Sequence, residues 1–466
     1  MTRGSLRAAA RRILRAGLAA VEPGRLVRAH LVAEKPARES VISGTFRSAW
    51  TPASAGVTVV GASPKRLVRR PSRAREDGVV RVGGLRLGPK RRVFVVAVGK
   101  AAIPMARTAL RVLGARVAEG IVIAPQRPPR MPRTRGFKSG HPVPDAAGIR
   151  ASRAVIELLA RAGKDDVVLL LLSGGASALM PAPIDGITLG DKQQVTELLL
   201  KRGAAISEMN AVRKQLSALK GGGFARLAAP ARVVTLVLSD VPGDDPRTIG
   251  SGPTVEDPGA ATVARRTFRR FVRAGEVSDA VVAALKRKRP DGVAGRVPTL
   301  VIGSGGTFAQ AAAAAARALG FRTRVAPMAL EGEARRCGPR LVASFEAARS
   351  NRPACLIATG ETVVRVTGTG RGGRNQELAL ASVGLLAKAT RPTVLAAFAT
   401  DGRDGHSSAS GGLVDDRTAR QARTRGLDID DALARNDSER ALETLGALIV
   451  TGATGTNVAD VCLILG

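Results

Sequence analysis

The sequence is nearly devoid of aromatic residues, with one Trp, no Tyr and ten Phe among 466 residues. Proteins that hold single-stranded nucleic acid stack its bases on aromatic side chains, so this scarcity argues against such a platform. It does so despite a formal net charge of +35, which often indicates a polyanionic partner. Because the basic residues are mostly scattered, we expect attraction of anionic metabolites and no dedicated nucleic-acid partner.

Cysteine and long apolar runs are also scarce. The three cysteines, Cys337, Cys355 and Cys462, lie far apart along the chain, which argues against a disulfide framework and against a zinc site. No apolar run reaches the roughly 18 to 20 residues that span a bilayer, so no membrane partner is expected. We therefore expect a reducing, cytoplasmic setting.

The N-terminal segment has two interpretations. It is rich in Arg and contains no acidic residue before Glu22, as is typical of transit peptides. However, its apolar residues follow an approximately helical spacing, and Pro23-Gly24 would end such a helix. We favour a structural first helix with an apolar stripe formed by Leu6, Ile13, Leu14, Leu18 and Val21.

Short apolar runs recur along the chain, and glycine closely follows most of them. Continuous Val, Leu and Ile runs predict strands buried on both faces, which is typical of the parallel sheet of an α/β fold. The predicted strands are Val93–Val98, Gly120–Ala124, Val167–Leu172, Val233–Leu238, Thr299–Ile302, Ala354–Ala358 and Val394–Ala399. The predicted crossover helices include Ala151–Ala162, Lys192–Ile206 and Phe308–Leu319.

The length of the chain exceeds what one hydrophobic core usually accommodates, so two α/β domains are expected. Residues 51–91 are rich in Pro, Gly, Ser and Arg and are interpreted as a loop. Residues 276–298 contain a basic, Pro- and Gly-containing stretch that is typical of a linker. We therefore predict an N-terminal domain at 1–275 and a C-terminal domain at 299–466.

Glycine and polar residues follow the predicted strands, at the positions where ligands bind in open α/β sheets. The loop Ser173-Gly174-Gly175-Ala176-Ser177 could present bare backbone N–H groups to a phosphate, or could be a tight turn without a ligand. The stretch at 303–307, GSGGT, lacks dinucleotide-binding spacing, and no Walker-type P-loop occurs. His141, in the loop GHPVPD, could be structural or could face substrate.

The charged residues at these positions are those that phosphoryl transfer requires, namely cations for the migrating group and carboxylates for Mg²⁺. Lys100 and Arg374 supply cations, whereas Asp240, Asp401 and Asp404 are candidates to hold the metal. Each aspartate could instead be a helix cap or a turn residue. No arrangement of Ser, His and Asp stands out strongly enough to predict hydrolysis.

Many longer motifs resemble those of the glycerate 2-kinase family, whose C-terminal half is often called the MOFRL domain and whose members are sometimes labelled hydroxypyruvate reductase. The similar stretches include VGKAAIPMA, SGHPVPDAAG, LLSGGASALMPAPIDGITLGDKQQ, GRGGRNQELALA, TDGRDG and IVTGATGTNVADV. They occur in the family's order from about residue 8 to the C-terminus, with 52–92 matching least. The resemblance thus extends over nearly the whole chain.

The resemblance implies a two-domain α/β enzyme with mainly parallel, Rossmann-like sheets and an active site in the interdomain cleft. It implies ATP-dependent phosphorylation of D-glycerate at the 2-hydroxyl with Mg²⁺, by a monomer or homodimer. Lys100 and Arg374 match the family's catalytic lysine and arginine, and replacing either by Ala should lower kcat roughly 10²-fold with the fold intact. Asp240 and Asp401 are the expected metal ligands. The expected nucleotide- or substrate-binding residues are Ser173, Gly174, Gly175, Ser177, Asn210, Lys214, Glu361 and Asn457.

Two alternatives stay open at this point. One is an NAD(P)H-dependent hydroxypyruvate reductase, and the other is a degenerate basic member of the family without kinase activity. Ala176, Gln215, Gly305 and Ser408 stand where the family usually has Gly, His, Asn and Asp. If position 176 required a positive φ, alanine would cost about 1 kcal/mol. These departures bear on substrate preference and turnover.

Overall fold

The structure is a computed structural model that describes residues 2–33, 79–88, 90–287 and 297–466. Most of the predicted loop at 51–91 and part of the predicted linker at 276–298 lie outside the described residues. Over these ranges the strands are β1 (Leu31–Ala33), β2 (Val80–Val82), β3 (Leu85–Leu87), β4 (Val93–Val98), β5 (Val117–Ala124), β6 (Thr134–Lys138), β7 (Val167–Ser173), β8 (Arg232–Leu238), β9 (Thr299–Gly303), β10 (Arg322–Leu330), β11 (Ala354–Gly360), β12 (Val394–Ala399), β13 (Gly411–Asp415), β14 (Leu448–Ile449) and β15 (Asp460–Leu465).

Two helices precede the first strand, and the others lie in the segments that connect the strands. They are α1 (Arg3–Ala20), α2 (Pro23–His30), α3 (Ala102–Leu113), α4 (Ala146–Ala160), α5 (Ala176–Leu179), α6 (Leu189–Lys201), α7 (Ile206–Gln215), α8 (Gly223–Ala228), α9 (Ala260–Phe271), α10 (Asp279–Lys286), α11 (Gly305–Ala318), α12 (Ala334–Ala347), α13 (Arg374–Ala381), α14 (Val383–Leu386), α15 (Thr418–Thr424), α16 (Ile429–Ala434) and α17 (Ser438–Thr444). The predicted helix at Lys192–Ile206 ends earlier in the structure, because α6 stops at Lys201 before Gly203, which adopts φ 75°, and Ile206 begins α7.

The first large sheet is entirely parallel and has the order β6-β5-β4-β7-β8-β9. Every residue of β4 and β7 is buried, and apolar clusters cover the two faces of these strands. Double-sided burial explains why the two segments have continuous apolar sequences rather than alternating ones. The predicted parallel α/β architecture is confirmed here.

The second large sheet has the order β10-β11-β15-β12-β13-β14 and is mixed. Only β10 and β11 pair in parallel, whereas β15 runs antiparallel between β11 and β12. The apolar run at Val394–Ala399 is a strand as predicted, but it has no parallel neighbour. A continuous apolar run indicates that a strand is buried on both faces. Antiparallel strands can also be buried in this way, so the run does not predict the strand direction.

The two halves of the chain are interleaved. Strand β9 pairs with β8 and belongs to the first sheet, although the predicted boundary assigns it to the C-terminal domain. Helix α10 lies inside the predicted linker at 276–298. The two-domain division stays a prediction, with these two elements differing from its proposed boundaries.

Helix α1 is part of the core, as the structural interpretation of the N-terminus predicts. Its buried Ile13 belongs to the same apolar cluster as Phe308 of α11 and Phe398 of β12. At its outer end Arg7 pairs with Asp415 at 2.8 Å. Pro23 does not simply end α1. It begins α2, as proline at a first helical position does.

No helix in the described ranges is long and apolar enough to cross a membrane.

Candidate active site

The candidate residues follow strands of both large sheets. Lys100 follows β4, and Asp240 follows β8 of the parallel sheet. Glu361 and Asp401 follow β11 and β12 of the mixed sheet. Since β15 is antiparallel to β11 and β12, its first residue, Asp460, lies level with their carboxyl ends, opposite Gly360 and Ala399.

Two polar contacts join the residues of one sheet to those of the other. The Lys100 Nζ atom donates to Asp401 Oδ2 at 2.7 Å. The Asn457 Nδ2 atom donates to Asp240 Oδ2, also at 2.7 Å. Residues more than 200 positions apart are thus brought to one place between the two sheets, as the predicted interdomain site requires.

The Asp240 carboxylate is held at the glycine-rich loop. A side chain at Gly174 would overlap both the Asp240 carboxylate and the Asn457 amide, so glycine is needed there for this approach. Burial, helped by the nearby carboxylate of Glu361 and opposed by Lys100, raises the pKa of Asp240 to about 6. The site therefore carries an anionic group whose charge the surrounding protein compensates incompletely.

Arg374 forms a second charged group at the start of α13. Its guanidinium bonds to Asp460, with one contact at 3.2 Å between Nη2 and Oδ1, and to Glu361. Burial raises the pKa of Asp460 to about 7, although Arg374 opposes this change. Burial also disfavours the charge on Arg374, but the carboxylates of Asp460 and Glu361 prevail and raise its pKa.

Asp404 holds the helix that carries Arg374. Its Oδ1 atom accepts from the backbone N–H of Asn375 at 3.1 Å, and its Oδ2 accepts from that of Gln376 at 2.8 Å. These bonds satisfy N-terminal donors of α13 that Gly373, at the cap position, cannot reach. Of the two interpretations given for this aspartate, the structure supports the cap.

The glycine-rich loop is fastened to the end of β4. The Ser173 hydroxyl accepts from the Ala101 N–H at 3.0 Å, and the Lys100 N–H donates to the Gly174 carbonyl at 2.9 Å. The Ser173 hydroxyl, fully buried, therefore positions the loop. Gly175 adopts φ 85° beside the His141 ring, with no room for a side chain. Burial and the charge of Lys100 lower the pKa of His141, which favours its neutral form.

Alanine at position 176 fits the backbone. The residue begins α5 without a positive φ, and the left-handed conformation belongs to Gly175. We therefore expect Ala176→Gly to lower the free energy of unfolding by about 1 kcal/mol, because glycine disfavours the helix and removes a buried methyl group. Thermal denaturation of the two proteins tests this, with Ala147→Gly in the first turn of α4 as a helical control. A variant more stable than the parent would show that the family's usual glycine is preferred here.

Asn210 and Lys214 lie on α7, where their side chains have other contacts. Lys214 Nζ binds Asp257 Oδ2 at 2.5 Å and its side chain is 6% exposed. Ser177 connects this region to the glycine-rich loop. Its hydroxyl lies 3.0 Å from the Ser251 hydroxyl and 3.0 Å from Lys220 Nζ. The nearby Gln215 is buried.

The other two departures from the family motifs lie apart from these contacts. A side chain at Gly305 would lie 3.1 Å from the Val458 carbonyl oxygen, so glycine allows the start of α11 to approach this segment. Ser408 is exposed.

The carboxylates fit a partly hydrated Mg²⁺ better than an all-protein metal cage. No group of three or more His, Cys, Asp or Glu residues suited to a metal is found among the described residues. Mg²⁺ typically takes one or two carboxylates and completes its shell with water and substrate phosphates. Asp240, with its elevated pKa and the Glu361 carboxylate nearby, suits that role. Asp401 Oδ2 is engaged by Lys100, so its role as a metal ligand stays a prediction.

Comparison with known proteins agrees with this arrangement. Residues 51–286 match a family described as a domain of unknown function, DUF4147, and residues 354–460 match the MOFRL family. A D-glycerate 2-kinase of Thermotoga maritima is 41% identical over 80% of this chain and 90% of its own length. The chain belongs to the glycerate kinase family. The family and the kinase class predicted from the motifs are therefore confirmed.

A solved structure and a further sequence relative are also similar to this glycerate kinase family member. A crystal structure of a glycerate kinase from Thermotoga maritima has a TM-score of 0.78 and 35% identity, covering 99% of both chains. A protein of Agrobacterium vitis bears hydroxypyruvate reductase in its name and is 36% identical over 92% of this chain and 98% of its own length.

Asp460 is the site residue that sequence reasoning missed. It is 2% exposed and bonded to Arg374. An acidic residue placed directly before the last apolar run, in NVADVCLILG, is a signal that could have identified it.

Proposed function

We propose that this protein transfers the γ-phosphoryl group of ATP to the 2-hydroxyl of D-glycerate, giving 2-phosphoglycerate and ADP. The observation that supports this most directly is the pair of contacts between the sheets, Lys100 with Asp401 and Asp240 with Asn457. These contacts collect a cation, a metal-binding carboxylate and a glycine-rich backbone in one place. Such a collection is what phosphoryl transfer needs, because the protein mainly positions and neutralises the migrating group.

The residues divide the work according to their position. The bare backbone at Gly174 and Gly175 lies against the phosphates, and Lys100 neutralises negative charge on the transferred group. Arg374, fixed by Asp460, offers a second cation. When bound at Asp240, Mg²⁺ would neutralise charge on the phosphate oxygens. In the transfer the acceptor oxygen bonds to the γ-phosphorus, the bond from that phosphorus to the β,γ-bridging oxygen breaks to release ADP, and the hydroxyl proton passes to solvent water.

A coupled assay distinguishes this function from the reductase alternative. We expect ADP release that depends on D-glycerate and Mg²⁺, with 2-phosphoglycerate identified by phosphorus NMR. Oxidation of NAD(P)H with hydroxypyruvate, without ADP formation, would instead identify a reductase. Failure of both reactions in the folded protein would favour the inactive family member. Location in the cytoplasm and a monomeric or homodimeric state stay predictions.

Lys100→Ala should lower kcat roughly 10²-fold or more, because the lysine acts on charge that develops in the transition state. Its side chain is 32% exposed and its partner Asp401 20% exposed, so we expect the free energy of unfolding to change by about 1 kcal/mol or less. Steady-state kinetics and thermal denaturation measure the two effects. Lys201→Ala, which removes an exposed lysine paired with Glu197, is the control. Turnover within about threefold of the parent would rule out this role.

A further inference from the structure

A second polar cluster lies at the other end of the glycine-rich loop from Asp240. We call it the Arg213 cluster; it comprises Asn210, Arg213, Lys220, Ser177 and Ser251. Lys220 is 3% exposed and its Nζ donates to the Ser177 carbonyl at 2.8 Å and to the Ser177 hydroxyl at 3.0 Å. The Ser177 and Ser251 hydroxyls are 3.0 Å apart. The cluster is therefore tied to the loop that contains Gly174.

Positive charge is in excess at this cluster. Burial, together with the charges of Lys192, Arg213 and Lys214, lowers the pKa of Lys220 well below its usual value. Two of these neighbours are engaged elsewhere, since Lys214 pairs with Asp257 and Lys192 donates to the carbonyls of Pro181 and Leu216. Of these cations, Lys214 has a carboxylate partner, Asp257.

Arg213 is the cation of this group with the weakest partner. Among the described residues its guanidinium has a single hydrogen bond, a long one of 3.5 Å to Asn210 Oδ1, whereas such bonds are usually about 2.9 Å. Burial lowers its pKa, yet its side chain stays partly accessible. A half-buried guanidinium next to other cations, without a carboxylate, is suited to an anionic ligand that arrives from solution.

Ser251 adds a strained backbone to the cluster. It adopts φ 65° between Gly250 at φ 58° and Gly252 at φ 63°. A non-glycine residue in this region carries strain, which is concentrated at ligand sites in proteins. In this conformation the Ser251 hydroxyl lies 3.0 Å from that of Ser177, so two hydroxyl groups lie together beside Lys220.

We propose that Arg213 binds the carboxylate of the acceptor acid, with the Ser177 hydroxyl as a further donor and Lys220 as the residue that positions Ser177. This inference rests on the proposed function, because it assigns one end of the acceptor of that reaction. Ser177, which belongs to the Arg213 cluster, follows Gly174 by three residues along the chain, and the Asp240 carboxylate lies beside Gly174. In this assignment the acid has its carboxylate at Arg213 and its hydroxyl towards the phosphates.

This arrangement also accounts for the choice of hydroxyl. The 2-hydroxyl is on the carbon next to the carboxylate, whereas the 3-hydroxyl is one carbon further away. Fixing the carboxylate at one end of the loop therefore fixes the distance of each hydroxyl from the phosphate-binding backbone. Lys214, one of the residues predicted from the sequence to bind nucleotide or substrate, pairs with Asp257, and the neighbouring Arg213 takes the carboxylate.

Kinetics of Arg213→Gln test the proposal. We expect the KM for D-glycerate to rise roughly 30-fold or more, as for the loss of a hydrogen bond to a charged group, with the KM for ATP unchanged. Arg213→Lys should retain part of the affinity. The methyl ester of D-glycerate, which lacks the charge, should be discriminated against by the parent protein but much less by Arg213→Gln. Arg270→Gln is the matched control and should behave like the parent. It removes an exposed arginine of α9 that pairs with Glu208, and Glu208 lies on α7 as Arg213 does.

Binding without turnover separates this inference from the proposed reaction. D-Glycerate alone should raise the melting temperature of the parent protein and not that of Arg213→Gln. The variant itself should fold, since it removes one of the cations that oppose the charge of Lys220. A rise in the KM for ATP with that for D-glycerate unchanged would assign Arg213 to a nucleotide phosphate, and unchanged values for both would remove it from the site. The parent could instead form no ADP but still show the D-glycerate-dependent rise in melting temperature, with that rise lost in Arg213→Gln. This result would contradict the proposed reaction but not the carboxylate site.

Discussion

Asp240→Asn should abolish turnover and at the same time make the protein more stable at neutral pH. The carboxylate is the expected Mg²⁺ ligand, so its loss should lower kcat by roughly 10²-fold or more. Its pKa is raised from 3.8 to about 6, which means that ionisation at pH 7 opposes folding. Removing that ionisable group should raise the free energy of unfolding by about 3 kcal/mol.

The sign of the pH dependence follows from the raised pKa. The penalty is absent below about pH 4, where the carboxyl is protonated in both folded and unfolded chains, and is complete above about pH 6. The stability difference between Asp240→Asn and the parent should thus be greatest at pH 7 to 8 and should shrink as the pH falls from 6 to 4.

Thermal denaturation without nucleotide or metal measures this effect, and a rise in melting temperature of roughly 2 to 4 °C at pH 7.5 is expected. The asparagine can still accept the bond from Asn457, so the local contact between the sheets is kept. Asp185→Asn, at an exposed loop position, is the control and should change neither property. An active variant would remove Asp240 from the site, and a less stable one would show that its charge is compensated in the folded protein.

Such a gain in stability is expected where a carboxylate is buried with little compensation of its charge. Asp240 has one hydrogen bond from Asn457 and lies near a second carboxylate, Glu361. Asp166, by contrast, accepts two bonds from Arg92, and its pKa is lowered, chiefly by those bonds. The contrast separates a carboxylate that stabilises the fold from one whose charge opposes folding and which we propose as a metal ligand.

The sequence was informative where local chemistry determines the structure. The apolar runs at Val93–Val98 and Val394–Ala399 predicted strands with their observed bounds, because burial on both faces demands continuous apolar residues. The glycine and lysine after β4 and β7 indicated which edge of the sheet matters, since strand ends converge there. These features depend on residues close together in the chain.

Pairing between distant segments was not accessible in the same way. Nothing in the composition of Thr299–Gly303 reports that it pairs with β8 rather than with the later strands. The family motif predicts that Lys214 binds nucleotide or substrate, and this stays a prediction, but its pairing with Asp257 depends on a residue 43 positions away. Asp460 was missed because its importance comes from the antiparallel direction of β15, which brings it level with the carboxyl ends of β11 and β12.

The contacts of Asp460 change what is expected of Arg374. The sequence-based prediction was that Arg374→Ala would lose turnover with the fold intact. In the structure the guanidinium compensates Asp460, whose side chain is 2% exposed. Removing the arginine leaves that carboxylate buried without its cation, so Arg374→Ala should lower the free energy of unfolding by roughly 3 kcal/mol or more at pH 8.

The loss of stability in Arg374→Ala should increase with pH. With Arg374 present the pKa of Asp460 is about 7, and Arg374 is the group that lowers it. Without the arginine the pKa rises further, so Asp460 must either stay protonated or be ionised at a cost that grows with pH. The stability lost in Arg374→Ala should therefore be small near pH 5 and largest above pH 7, as measured by denaturation at both pH values.

A second substitution separates the folding role of Arg374 from its role in the reaction. Arg374→Ala combined with Asp460→Asn removes both charges of the buried pair and should recover most of the lost stability. It should not recover turnover, because the cation that we propose for the phosphates is still missing, and kcat should stay roughly 10²-fold or more below that of the parent. Recovery of both would show that Arg374 acts only by compensating Asp460. Recovery of stability alone identifies it as a cation that the reaction itself requires.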